Sequence, residues 1–94
     1  MISSYRDRDT AALAEGEEVR RWEPFTRQAE KRLRILDGAT SLRDLAALNS
    51  NRLEAMKGSR KGQYSIRINE QWRICFEWPN DASGPSNVEI VDYH

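Results

Sequence analysis

The chain has 94 residues, 38% of them apolar, and its 15 Lys and Arg balance 15 Asp and Glu to a formal net charge of zero. That length suits one modest core and excludes two, and a mean hydropathy of −0.82 with no long apolar run excludes a membrane-spanning helix. One cysteine excludes an internal disulfide, and one histidine with one cysteine cannot build a usual zinc site, so no metal or cofactor is expected.

Taken in chain order, Ile2 to Arg6 alternates briefly and predicts an edge strand. The first nine residues lack the apolar stretch of a secretory leader, which makes a cytoplasmic protein the expectation. Asp9 or Thr10 can cap a short helix through Ala11 to Ala14 that Gly16 ends. Glu23-Pro24 opens the main helix, because proline in the first turn loses no needed hydrogen bond. Phe25, Ala29, Leu33 and Leu36 follow helical spacing before Gly38. The other faces of that helix carry Arg27, Lys31, Arg32 and Arg34, either a solvated stripe or a contact for nucleic acid or an acidic partner. Ser41, with Asp44 three residues on, resembles a capping box for a third helix through Leu42, Leu45 and Leu48.

Beyond Asn51 the apolar period shortens to two. Arg52 to Lys57 predicts an irregular strand, and Tyr64, Ile66 and Ile68 followed by Trp72, Ile74, Phe76 and Trp78 predict a hairpin turned by Asn69-Glu70-Gln71. Cys75, inside that run, is expected to be a packed thiol. Residues 79–86 read as a loop and Asn87 to Tyr93 as the last strand. Helices followed by antiparallel strands make an α+β domain spanning 1–94, with helices on one sheet face and the other face open. If Ile66, Ile74, Phe76, Val88 and Ile90 meet the helices, the pleat places Arg67, Arg73 and Tyr93 together on the open face.

The neutral total hides two blocks. From Asn51 to Arg73 the basic residues Arg52, Lys57, Arg60, Lys61, Arg67 and Arg73 face only Glu54 and Glu70, while from Glu77 onward four acids face no Lys or Arg. A positive surface on an aromatic-rich sheet fits a polyanion. RNA cleavage without a metal requires a base for the 2′-hydroxyl, cations for the phosphate and an acid for the departing 5′-oxygen. Arginine and lysine suit the phosphate, and His94 is the side chain whose ordinary pKa lies nearest neutrality. Asp92 or Glu54 can supply the base; Glu54 can equally be an ion-pair partner of Lys57 or Arg52, and Arg67 a cross-strand partner of Glu77.

The run NRLEAMKGSRKG from Asn51 to Gly62, then QYSIRINEQWRICFEW, then the terminal NVEIVDYH, resembles the HigB-type toxins of the RelE superfamily, from bacterial type II toxin–antitoxin pairs. The resemblance implies a small RelE-like fold, N-terminal helices on one face of a twisted antiparallel sheet, and ribosome-dependent cleavage of mRNA in the A site. It implies catalytic roles for Lys57, Arg73, Asp92, Tyr93 and His94, with Glu54 standing where one branch of the family has a histidine and Gln71 where asparagine is frequent. RNA contacts are expected from Arg67, Gln71, Arg60, Lys61 and Arg52. The implied partners are a HigA-like helix-turn-helix antitoxin, the 70S ribosome with its message, and operator DNA through the antitoxin complex. Two rivals are a ParE-like toxin that binds gyrase without cutting RNA and a non-catalytic RNA-binding module.

Overall fold

The computed structural model describes residues 1–92; Tyr93 and His94 lie outside the described residues. Helix α1 (Arg8–Ala14), a 3-10 segment (Arg20–Phe25), α2 (Thr26–Gly38) and α3 (Leu42–Ala47) precede four strands, β1 (Glu54–Ala55), β2 (Gln63–Arg67), β3 (Trp72–Glu77) and β4 (Ser86–Asp92). The strands form one antiparallel sheet in sequential order, the α+β arrangement expected.

Each helix start has a chemical cause. Asp7, not Asp9 or Thr10, caps α1: its extended backbone (φ −134°, ψ 157°) lets its carboxylate accept from the Thr10 N–H. Thr10 instead becomes a fully buried joint, its hydroxyl donating to Asp7 Oδ1 at 2.6 Å and accepting from the Ile90 N–H at 3.1 Å. Pro24 sits inside the 3-10 segment, so α2 begins later than Glu23-Pro24 implied, at Thr26. Ser41 caps α3 through the Asp44 N–H, as its spacing suggested.

The core lies between the helices and one sheet face. Leu13, Trp22, Phe25, Ala29, Leu33, Leu36 and Leu45 meet Ile66, Ile68, Ile74, Phe76, Val88 and Ile90, each large side chain contributing about 1.5–3 kcal/mol through burial. Phe25 stacks on Trp72 at 5.0 Å and Trp22 meets it edge-on at 6.5 Å, which fixes the start of β3 against the 3-10 segment. Residues 2–6 run parallel to β4 on its outer side but form a single bridge, Tyr5 with Val88, and not the expected strand; Ser3 and Arg6 donate to the Pro85 and Val88 carbonyls. Among the described residues no helix is long and apolar enough to cross a membrane.

The expected strand Arg52 to Lys57 shrinks to Glu54–Ala55. On one side Arg52 takes a left-handed conformation (φ 48°, ψ 50°) after the 3-10 turn Asn49–Asn51; on the other, Lys57 caps a second 3-10 turn, Gly58–Arg60. A left-handed residue on one side and a 3-10 turn on the other leave only Glu54–Ala55 as strand.

Candidate active site

The sheet register settles which side chains meet on the open face. Arg67 stands directly opposite Arg73, and Arg73 opposite Val91. In the next row Glu54, Ser65, Cys75 and Glu89 face one another across all four strands. Arg67 and Arg73 therefore share the open face as the pleat required, and Arg52, Glu54, Arg67, Asn69, Glu70 and Arg73 line one shallow groove of about 400 Å³.

Two arginines opposite each other on neighbouring strands repel, a local cost that the protein manages by drawing them apart. Arg67 donates from Nε to the Asn69 carbonyl at 3.1 Å and approaches Glu70 at 4.0 Å. Arg73 donates from Nε to Ser65 Oγ at 2.8 Å and from Nη2 to the Arg52 carbonyl at 2.5 Å. The expected Arg67–Glu77 pair does not form, because Glu77 lies opposite Gln63 and takes Arg6 at 3.2 Å.

Glu54 is exposed at the groove and, among the described residues, makes no ion pair, so neither Lys57 nor Arg52 neutralises it. Lys57 and Lys61 flank the Gly58–Arg60 turn in exposed positions without an ion pair among the described residues. Arg60 differs from both. It donates to Gln63 Oε1 and to Glu89 Oε2, each at 3.1 Å, and Arg6 joins the same carboxylate at 2.9 Å. The positive and negative blocks of the sequence thus partly neutralise each other in space, and Arg60 is occupied by the protein.

Asp92 falls opposite Trp72, on the other side of the pleat from Arg73, and accepts from Gln71 Nε2 at 3.0 Å. The structure brings Arg52, Glu54, Arg67 and Arg73 together and sets Asp92 with Gln71 at the end of the sheet. Tyr93 and His94 are outside the described residues. Cys75, opposite Glu89 in the sheet, is fully buried, and desolvation pushes its thiol pKa up, so it packs and does not ionise near neutrality.

Two buried polar residues went unremarked in the sequence, Ser65 and Asn51. Asn51 donates from Nδ2 to the Leu45 carbonyl at 3.0 Å and accepts from Arg32 Nη1 at 2.8 Å. Arg32 thereby leaves the basic stripe of α2 and ties that helix to the turn before the groove. A small hydroxyl one strand from an open-face arginine was the signal for Ser65.

A family model described as the RelE-like toxin of type II toxin-antitoxin system HigB matches residues 7–94. "Toxin HigB-1" of Vibrio cholerae serotype O1 is 44% identical over 48 residues, which cover 51% of this chain and 50% of that protein. "Endoribonuclease HigB" of Proteus vulgaris is 36% identical over 63 residues, covering 67% of this chain and 65% of its own length. The matched segments thus span half to just under two thirds of these curated relatives.

Proposed function

This chain belongs to the HigB family of RelE-like toxins from type II toxin–antitoxin systems, and we propose that it is an endoribonuclease that cuts mRNA in the ribosomal A site. One observation carries the reading: Arg67 and Arg73 stand opposite each other in an open groove that also holds Glu54 and Arg52. Arginines at facing positions of neighbouring strands make a local positive patch, and a phosphodiester is an anion that suits it.

In the proposed reaction the 2′-oxygen attacks its own phosphate after giving up a proton, the P–O5′ bond breaks, and the 5′-oxygen leaves with a proton. The products are a 2′,3′-cyclic phosphate and a 5′-hydroxyl. Arg73 and Lys57 offset the charge that builds on the phosphate, with Arg67 and Arg52 holding the flanking backbone. Glu54 is the better base of the two carboxylates considered, since it lines the groove with Arg73 whereas Asp92 stands across the pleat beside Gln71. The resemblance supports His94 as the acid, and the chemistry of an aromatic ring lets Tyr93 stack on an unstacked base.

The partner of this toxin is proposed to be a HigA-like helix-turn-helix antitoxin, through which the pair reaches operator DNA. The test is to map 5′ ends of a message on programmed 70S ribosomes with and without the protein. New ends within the A-site codon support the reading. Intact message with inhibited gyrase supercoiling would support the ParE-like alternative, and bound but uncut RNA a non-catalytic module.

A further inference from the structure

Arg73 does not present its guanidinium to the groove in the usual way. The Nε and Nη2 nitrogens form the side edge with which arginine commonly grips an oxyanion as a fork. Here that edge is turned to the protein: Nε donates to Ser65 Oγ at 2.8 Å, and Nη2 reaches the Ser65 carbonyl at 3.5 Å and the Arg52 carbonyl at 2.5 Å. Among the described residues Nη1 has no partner.

Both acceptors are themselves held. Ser65 is completely buried, midway along β2 between its pairings with Glu54 and Cys75. The Arg52 carbonyl is aimed by a left-handed backbone (φ 48°), a conformation uncommon outside glycine that persists where its surroundings enforce it. The residue just before it, Asn51, is fully buried and tied to Leu45 and Arg32.

We propose that Ser65 is a positioning residue: with the Arg52 carbonyl it locks the Arg73 side edge, so that an RNA phosphate is taken end-on by Nη1 alone. The proposal rests on the nuclease reading for the identity of the anion, but the lock is a property of the free protein. A guanidinium fixed before the substrate arrives loses no rotamer freedom during the reaction, so its charge counts fully when the phosphate becomes crowded.

The experiment combines nitrogen-15 NMR of the arginine side chains in the full chain with cleavage kinetics on programmed ribosomes. The Arg73 Nε–H, assigned by its loss in Arg73→Lys, should exchange more slowly than those of exposed arginines such as Arg8, and Ser65→Ala should abolish that protection. Ser65→Ala should lower kcat about tenfold, the worth of a hydrogen bond to a charged group, with KM unchanged, and Ser65→Thr should restore part of it. In an Arg73→Ala background Ser65→Ala should add nothing. A wild-type Nε–H that exchanges as fast as Arg8 overturns the lock with no variant needed. So does an equal loss from Ser65→Ala with and without Arg73, which would mark a general structural role. If wild type cuts no RNA the nuclease reading falls, and the exchange comparison still decides for or against the lock.

Discussion

Arg60, on the turn that follows β1, spans β2 and β3 to place Nη1 3.1 Å from the Glu89 carboxylate on β4. Glu89 also holds Arg6, and its side chain is only 16% exposed. Removing either arginine leaves the carboxylate one partner, whereas removing Glu89 takes a carboxylate from both cations at once, leaving Arg6 with Glu77 and Arg60 with Gln63. Glu89→Ala should therefore cost more than Arg60→Ala, about 1.5–3 kcal/mol against about 0.5–1, measured by urea denaturation. Equal losses would show that the two arginines do not share the carboxylate.

Thr10 answers a different need, since its hydroxyl is the acceptor for the Ile90 N–H inside the protein. Thr10→Val keeps the shape and orphans that N–H, so it should cost about 1–3 kcal/mol, while Thr10→Ser should recover most of it. Thermal melts of the three proteins decide the matter, and a neutral Thr10→Val would refute the assignment.

For the proposed chemistry, Arg73→Ala and Lys57→Ala should each lower cleavage about 10²-fold or more while remaining folded. Circular dichroism checks the fold and 5′-end mapping the rate. Glu54→Gln should abolish the pH dependence that a carboxylate base imposes on kcat. Unchanged activity in Glu54→Gln would return the role of base to Asp92.

Alkaline pH should destabilise the protein. Burial raises Cys75 above its ordinary 9.0, and burial together with Asp37 and Glu15 raises Tyr5 above its ordinary 10.0. Both groups lose their protons first in the unfolded chain, so their contribution is whole below pH 9 and falls as pH rises through the folded values. Asp44 has the opposite sign: hydrogen bonds from Thr40 and Ser41 hold its carboxyl below 3.8, and that contribution is lost as pH falls through the lowered value. Denaturation midpoints between pH 7 and 10.5 should decline, with a shallower onset in Cys75→Ala. A midpoint that rises over this range would contradict the sign.

Where one period dominated, the sequence could be read directly. Alternation from Tyr64 to Trp78 located β2 and β3 and the face shared by Arg67 and Arg73, because a strand buried on one side leaves no other register. Local competition defeated the same reasoning elsewhere. Asp7, Asp9 and Thr10 can all cap a helix, and of these Asp7 has the extended backbone needed, just after a segment hydrogen-bonded along β4 from far along the chain. The length of β1 was harder to read: Gly58, at φ 64°, opens the 3-10 turn beyond its end, but its start follows a left-handed Arg52 where no glycine or proline stands as a signal. At the site, charge counting found the arginines but not their tethers. Arg60 looked as available as Arg73 until Glu89, far along the chain, was seen to claim it.

The parallel segment along β4 has a consequence for how this molecule comes into being. Ser3 meets Pro85 across 82 residues and Thr10 meets Ile90 across 80, so β4 gains its outer neighbour only by closing loops of that length. Such contacts cost entropy before they return any stability, and they slow folding. A polypeptide still emerging from its own ribosome has no β4 to offer, and β3, which carries Arg73, then lacks one of its two flanking strands. The sheet that carries the groove is thus complete only once β4 has emerged.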